Sequence, residues 1–244
     1  MRKAYITGAD HGLGLALVEA FLRNGDFVFA GFYGLDRSGL DSLKLRYQER
    51  LEIVPLDVSR DVSVWSAAAL ITAKTKDLDV LINNAAILGK KENKPYMATV
   101  DDSLDFEDML TTYNVNALGP LRVTQSVLPL LRAGREKRIL NISSEAGSMN
   151  ARIRKKHRNR YGYCGSKAAL NIQSILLNNH LSEEGIHLTL IEPGWLRTYM
   201  AGDTKSTNAP TEPEESAEKL LAFLNRPAPD YLFHDLFLDQ PFDW

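Results

Sequence analysis

The sequence has a single cysteine, no long apolar run and almost no net charge. Cys164 alone cannot form an intramolecular disulfide, so nothing in the sequence indicates an oxidising compartment. No apolar stretch approaches the ~18 residues of a membrane-spanning helix, and the strand-like segment that begins at Ala4 leaves no room for a signal peptide. The 29 basic and 31 acidic side chains give a net charge of −2, which favours neither nucleic acid nor an anionic membrane. We therefore expect a cytoplasmic protein with no nucleic-acid or membrane partner.

Apolar strand-like segments alternate with helical ones along the whole chain of 244 residues, of which 44% are hydrophobic. A chain of this length can bury one substantial core. Alternation of strand and helix is typical of a parallel sheet with helices on both faces. The predicted strands are 3–6, 27–32, 51–56, 78–82, 138–142, 186–191 and 231–236. The sequence thus predicts an α/β fold, a doubly wound parallel sheet of the Rossmann type, in one domain over residues 1–244.

A glycine-rich turn joins the first predicted strand to the first predicted helix. Glycines at positions 8, 12 and 14 let the backbone turn tightly and approach a pyrophosphate, whose charge is stabilised by the N-terminal N–H groups of the helix. The spacing is G-x-x-x-G-x-G rather than the commoner G-x-G-x-x-G. An ordinary glycine-rich turn is the alternative. As nucleotide contacts we predict Gly8, His11, Gly12, Leu13 and Gly14.

The end of the second strand normally carries the residue that reads the adenosine ribose. An acid there would bind the 2′-hydroxyl of NAD, whereas this sequence has Phe32 and Tyr33. His11 and Arg37 could meet a 2′-phosphate instead, which favours NADP over NAD. The alternative is that both side chains are simply solvated.

Polar residues follow two further strands. Asp57 and Val58 could contact the adenine of a nucleotide, or Asp57 could cap the next helix. Asn83 and Asn84, followed by Ala85, are predicted to support the nucleotide cleft through backbone hydrogen bonds. Residues 106–131 are predicted to form one long helix. An asparagine is mildly disfavoured inside a helix, so Asn116 is predicted to have a specific role there.

Tyr163 and Lys167 are spaced by four residues at the start of a predicted helix, so they lie on one face. A lysine near a tyrosine favours the phenolate and lowers the pKa of the phenol from about 10. Tyr163 is therefore a candidate proton donor and acceptor. The same spacing also occurs by chance, as a surface tyrosine packed on a lysine stem.

Taken together, these motifs resemble the short-chain dehydrogenase/reductase family over nearly the whole chain. The Pro193-Gly194 pair and the residues that follow it look most like the branch of C-factor and sniffer-type carbonyl reductases. The motifs are Thr7-Gly8-x-x-x-Gly12-x-Gly14, Asn83-Asn84-Ala85, Asn116, Ser144, Tyr163-x-x-x-Lys167 and Pro193-Gly194.

The resemblance implies roles for individual residues. Tyr163 would transfer a proton to or from the substrate oxygen, and Ser144, preferred over Ser143 because it precedes x-x-Gly147, would hydrogen-bond that oxygen. Lys167 would bind the nicotinamide ribose and lower the pKa of Tyr163, and Asn116 would hold a water that links Lys167 to solvent. Pro193, Gly194 and Thr198 would position the carboxamide. Residues 199–212 would form a lid over the substrate, and the chain would be a homo-oligomer, a dimer or tetramer.

Two departures from the family pattern affect this interpretation. Ala86 stands where the family usually has glycine, which either weakens nucleotide binding or is tolerated. Ser144 and Tyr163 are 19 residues apart, several more than usual, and the extra length coincides with a basic insertion at 150–160. Its six Lys or Arg side chains leave a net charge of 23 − 31 = −8 on the remainder. The insertion either attracts an acidic substrate or is a solvated basic loop.

The sequence therefore predicts an NAD(P)-dependent oxidoreductase that interconverts a carbonyl compound and a secondary alcohol, with NADP favoured and no metal site. The alternative is a dinucleotide-binding regulatory protein whose catalysis is vestigial. Nucleic-acid binding through the basic insertion is disfavoured by the acidic remainder.

Overall fold

A computed structural model describes residues 1–34, 36–90, 97–200 and 208–244. In these residues the chain forms an eight-stranded sheet with the strand order β3-β2-β1-β4-β5-β6-β7-β8. The strands are β1 (Lys3–Thr7), β2 (Phe27–Phe32), β3 (Leu51–Pro55), β4 (Val80–Asn83), β5 (Arg138–Ile142), β6 (His187–Glu192), β7 (Phe233–Asp235) and β8 (Gln240–Pro241). The pairs from β3 to β7 are parallel, and β8 adds an antiparallel pair at the edge.

Helices connect the strands and cover both faces of the sheet. They are α1 (Gly12–Arg23), α2 (Ser38–Tyr47), α3 (Asp61–Lys74), α4 (Phe106–Tyr113), α5 (Gly119–Ala133), α6 (Met149–Lys155), α7 (Tyr161–Leu181) and α8 (Pro213–Leu224). In α1, Leu13, Leu17 and Phe21 recur every four residues and are all buried, so they form the stripe that packs on the sheet.

The core has two main parts, one on each face of the sheet. One cluster joins α1, α2 and α8 to the sheet, and includes Leu17, Leu40 and Leu220. The other joins α3 and α5 to the opposite face, through Val64 and Val127 among others. Strands β1, β4 and β5 have buried residues on both faces, which is why their sequences are apolar without alternation. The predicted doubly wound α/β fold is confirmed.

The predicted helix over 106–131 is interrupted, and in this respect the prediction was wrong. Helix α4 ends at Tyr113, a single π-helical turn spans Asn114–Leu118, and α5 begins at Gly119. Single π turns are frequent at functional sites. Within the described residues, no helix is both long enough and apolar enough to span a membrane.

Candidate active site

The strand order reverses between β1 and β4, and parallel strands end at the same edge of the sheet. Ligand sites of open α/β sheets lie at that edge, beside the reversal. The glycine turn follows β1, Asn84 follows β4, Ser144 follows β5 and Pro193 follows β6. The topology therefore brings four of the predicted motifs to one edge.

The glycine turn has no room for side chains. Gly8 and Gly12 have φ angles of +61° and +54°, in the left-handed region that favours glycine. A Cβ on Gly14 would lie 1.9 Å from the carbonyl oxygen of Gly8, and a Cβ on Gly8 would lie 2.8 Å from Cα of Ala85. His11 precedes α1 without a side-chain cap hydrogen bond. The turn is thus shaped as a cradle whose helix N-terminus can receive a phosphate.

Asn84 holds the glycine turn in place, as predicted from its position after a strand. Its Nδ2 donates to the carbonyl oxygens of Thr7 and Gly8, both at 3.0 Å. The Oγ1 of Thr7 in turn accepts the backbone N–H groups of Asn84 at 3.0 Å and of Ala85 at 3.1 Å. Asn83 instead points into the sheet, where its Nδ2 donates to Oδ1 of Asn141 at 2.8 Å.

His11 and Arg37, the two residues predicted to meet a 2′-phosphate, each contact an aspartate. Nδ1 of His11 lies 2.8 Å from Oδ2 of Asp10. Arg37 donates to Oδ1 of Asp41 at 2.6 Å, and its guanidinium lies 5.6 Å from the ring centroid of Phe32. An exposed pair of this kind is weak, so it does not prevent Arg37 from turning to a stronger anion.

Asp57 and Val58 follow β3 but are engaged locally. Oδ1 of Asp57 accepts the N–H of Ser59 at 2.9 Å and its hydroxyl at 2.6 Å. The N-cap of α3 is Arg60, so Asp57 is not the capping residue of that helix. The side chain of Val58 is buried and lies against Gly119, where a Cβ would come within 2.9 Å of it. Their predicted contacts with a nucleotide stay predictions.

Asn116 lies within the π turn and is fully buried. Its Oδ1 accepts the N–H of Ile87 at 2.8 Å, and its Nδ2 donates to the carbonyl oxygen of Ile87 at 2.8 Å and to Oγ of Ser166 at 3.0 Å. Ser166 in turn donates to the carbonyl oxygen of Tyr163 at 2.8 Å. The reason for an asparagine at this position is therefore that its amide ties the segment after β4 to the start of α7.

The two serines after β5 have different environments. Ser143 is buried, and its Oγ donates to Oδ1 of Asn171 at 2.6 Å. Ser144 is partly exposed, and its Oγ accepts the N–H of Ala146 at 3.1 Å while also hydrogen-bonding Tyr163. Ser144 is thus the serine that faces the candidate catalytic tyrosine.

Tyr163 and Lys167 lie on one face of α7, with Nζ of Lys167 5.9 Å from the centroid of the Tyr163 ring. Burial raises the pKa of Tyr163 to about 12; the hydrogen bond with Ser144 opposes this shift, and the carboxylate of Glu192 adds to it. We expected Lys167 to lower the pKa of Tyr163, but without a bound nucleotide the pKa is raised instead. The physical reason is that loss of water around the phenol destabilises the phenolate more than nearby groups stabilise it.

Lys167 is 2% exposed, and its Nζ donates to the carbonyl oxygen of Ile142 at 2.8 Å. Burial lowers its pKa from 10.5 to about 8, and Glu192 opposes the shift. The ammonium group is thus held at the end of β5, next to Ser143 and Ser144.

The turn after β6 is fixed by packing. The carbonyl oxygen of Pro193 accepts Oγ–H of Ser216 at 2.9 Å. Gly194 has a φ angle of +85°, and a Cβ on it would lie 2.7 Å from the ring of Phe237. Thr198 lies beside the glycine turn, because a Cβ on Gly12 would come within 3.2 Å of its Cγ2.

Glu192 is the residue of this site that the sequence interpretation missed. It precedes Pro193, and its carboxylate accepts N–H groups from two loops, those of Glu145 and Gly194. Burial raises its pKa to about 7. The one signal in the sequence was an acid at the end of an apolar strand, directly before a Pro-Gly turn.

The basic insertion is partly helical rather than a simple loop. Residues 149–155 form α6, and Arg152 and Lys155 both contact the carboxylate of Glu145, with the Lys155 contact at 2.6 Å. Arg154 pairs with Asp243 near the end of the chain. Three of the six cations are thus paired with two acids of this chain, which weakens the hypothesis that the insertion attracts an acidic substrate.

The predicted lid over 199–212 lies partly outside the described residues, since 201–207 are not described. On its far side, the N–H of Arg197 donates to the carbonyl oxygen of Thr211 at 2.8 Å, and Nη2 of Arg197 donates to Ala209 at 2.9 Å. The segment therefore returns to the Pro193–Thr198 turn.

The family model for the short chain dehydrogenase matches residues 2–209. The chain therefore belongs to the short-chain dehydrogenase family, as its motifs indicate. Human 17-beta-hydroxysteroid dehydrogenase type 6 is 32% identical over 204 residues, which cover 83% of this chain and 59% of that protein. The chain thus spans less than two thirds of the length of this relative. C-signal of Myxococcus xanthus is 40% identical over 136 residues, 56% of this chain and 76% of that protein.

Solved structures of carbonyl reductases share the fold over the whole chain. Carbonyl reductase Sniffer of D. melanogaster superposes with a TM-score of 0.87 at 26% identity, covering 100% of both chains. The NADPH-bound carbonyl reductase from chicken fatty liver gives a TM-score of 0.85 at 28% identity, covering 100% of this chain and 99% of that one. These similarities agree with the predicted C-factor and sniffer branch.

Proposed function

We propose that this chain is an NAD(P)-dependent oxidoreductase that interconverts a carbonyl compound and a secondary alcohol, with Tyr163 as the general acid and base. The observation that carries the proposal is that the phenol of Tyr163 lies beside Ser144, with Lys167 one helical turn away at the same edge of the sheet. All four positions that the family resemblance assigns to catalysis are present, so the vestigial alternative is not favoured.

The residues at the sheet edge fit a dinucleotide. The cradle formed by Gly8, Gly12 and Gly14 would receive the pyrophosphate at the start of α1, and Thr198 next to it would reach the nicotinamide carboxamide. When bound, the nicotinamide supplies or accepts the hydride. We propose NADP as the preferred form, because His11 in the glycine turn and Arg37 after β2 could meet a 2′-phosphate and a carbonyl reductase of the same fold binds NADPH.

In reduction, the phenol of Tyr163 donates its proton to the substrate oxygen, while the hydroxyl of Ser144 donates a hydrogen bond that orients it. A phenol with a raised pKa is protonated at neutral pH, as a proton donor must be. In oxidation it has to lose that proton first, and the ammonium of Lys167 must then stabilise the phenolate.

Tyr163 borders a small cavity of about 20 Å³, which has room for one water molecule. Apolar side chains line part of it, among them Leu88, Leu104 and Met109. Asp105 at its edge is paired with Lys90. A panel that pairs neutral with carboxylated carbonyl compounds at several salt concentrations tests whether the charge of the substrate affects its reduction.

Activity is tested with a panel of aldehydes and ketones and either NADPH or NADH. Tyr163→Phe should lower kcat by about 100- to 10,000-fold, the usual contribution of a general acid. Tyr47→Phe, which removes a phenol at the end of α2, is the matched control. Turnover by Tyr163→Phe equal to that of the wild type would refute the assignment. Fluorescence titration of the two nucleotides measures which one is preferred.

A cytoplasmic location and a homodimer or tetramer stay predictions. On the two long helices, Val123 and Val127 of α5 are buried in the core. Ile172 and Leu176 on α7 are 54% and 62% exposed, so they are the ones left for a second copy of the chain. Light scattering of the protein and of Leu176→Lys tests this assignment, since a charge at the contact should yield monomers.

A further inference from the structure

Glu192 connects two loops of the candidate active site through its carboxylate. Its Oε2 accepts the backbone N–H of Glu145 at 2.5 Å, and its Oε1 accepts that of Gly194 at 3.1 Å. Glu145 directly follows Ser144, and Gly194 belongs to the turn after β6. A single side chain therefore fixes the distance between the Ser144 loop and this turn.

Each of the two loops is also held from its other side. The side chain of Glu145 is paired with Arg152 and Lys155 of α6. Gly194 lies against the ring of Phe237, where a side chain would not fit. Because both loops are held on their other sides, the carboxylate of Glu192 is placed to determine how the loops meet.

The charged groups around Glu192 lie on three neighbouring elements. Tyr163 and Lys167 face it from α7, Asp235 from β7 and Glu145 from the turn after β5. Burial raises the pKa of Glu192 to about 7; the two N–H hydrogen bonds oppose this shift, and both acids add to it. The carboxylate in turn raises the pKa of both Tyr163 and Lys167.

We propose that Glu192 is a positioning residue of this site, which aligns the Ser144 loop with Tyr163 and keeps Tyr163 protonated and Lys167 charged as the pH rises. The inference rests on the proposed function, since it assigns Glu192 a part in the same proton transfer. It adds a titratable group to the four positions that the family resemblance assigns to catalysis.

Two substitutions distinguish the effect of the negative charge of Glu192 from the effect of its side-chain length. Glu192→Gln removes the charge and keeps the length, although its NH₂ group cannot accept the second N–H. Glu192→Asp keeps the charge but is one methylene shorter. Without the negative charge the pKa values of Lys167 and Tyr163 both fall, and Lys167 is the first of the two to titrate as the pH rises. The alkaline limb of kcat for carbonyl reduction should therefore shift by about one pH unit to lower pH in the Gln variant. In the Asp variant the limb should stay where it is while kcat falls.

A second measurement needs no turnover. In NMR titrations of the chain without nucleotide, the side-chain carboxyl carbon of Glu192 should titrate near pH 7, and the amide protons of Glu145 and Gly194 should follow with the same midpoint. Both amide transitions should vanish in Glu192→Gln.

The two measurements also distinguish this inference from the proposed function. An active wild type whose alkaline limb is unchanged by Glu192→Gln would overturn the role of Glu192 and leave the function intact. An inactive wild type would refute the function, and the amide titrations would then decide the inference. Amide protons that do not follow Glu192 would overturn it.

Discussion

Replacing Lys167 by methionine tests whether its buried ammonium group costs folding free energy. The side chain is 2% exposed, and burial lowers its pKa from 10.5 to about 8. At about 1.4 kcal/mol per pH unit, this difference lowers the free energy of unfolding by about 3 kcal/mol while Lys167 is protonated. Methionine has a similar length and no charge, so the variant escapes this cost.

The sign of the pH dependence follows from the two pKa values. Between about pH 8 and pH 10.5 the unfolded chain keeps the proton on Lys167 and the folded chain releases it. The unfolded state then binds more protons, so wild-type stability rises with pH relative to the variant. The stability advantage of Lys167→Met should therefore shrink by about 3 kcal/mol across this window. Loss of the hydrogen bond to the carbonyl oxygen of Ile142 lowers the free energy of unfolding of the variant by about 1–3 kcal/mol at every pH. It therefore leaves the slope of the pH dependence unchanged.

Urea unfolding of both proteins at intervals from pH 7 to pH 10.5 measures the difference. Lys76→Met, which alters an exposed lysine, is the control. A constant difference for Lys167→Met would refute the argument, because it would mean that burial of Lys167 does not disfavour its charge.

Two further substitutions test the nucleotide cleft. Gly14→Ala gains about 1 kcal/mol of helix propensity but places a Cβ 1.9 Å from the carbonyl oxygen of Gly8, so nucleotide affinity should fall at least about tenfold and thermal stability should fall too. The control is Gly185→Ala, with φ +73° and no atom within 4 Å, which should lose about 1 kcal/mol of stability and no nucleotide affinity. Equal nucleotide affinities in the two variants would contradict the cradle. Asn116→Ala leaves the N–H and carbonyl of Ile87 without their partner and should lower the free energy of unfolding by about 3 kcal/mol, whereas a loss below about 1 kcal/mol in urea unfolding would mean that water replaces the amide.

The positions of the motifs could be predicted because they depend on local sequence. Closely spaced glycines between a strand and a helix indicate a tight turn, and an asparagine after a buried strand has few roles besides bonding a turn. The parallel sheet then requires these turns to meet at one edge. The end of the long helix at Tyr113 was not predictable, since its sequence keeps helical periodicity across the π turn.

The sequence by itself determined the family and the fold and indicated the candidate catalytic residues, because each rests on residue type and spacing along the chain. The tertiary structure alone decided their protonation and partners. The pKa of Tyr163 rises because folding removes water from the phenol, and Glu145 and Asp243 neutralise cations 7 to 10 and 89 residues away in sequence. Glu192 belongs to the site for the same reason, because strand β6 places its carboxylate against the backbone N–H of Glu145, which lies 47 residues earlier in the sequence. Desolvation and long-range pairing depend on distances in space, which no spacing in the sequence encodes.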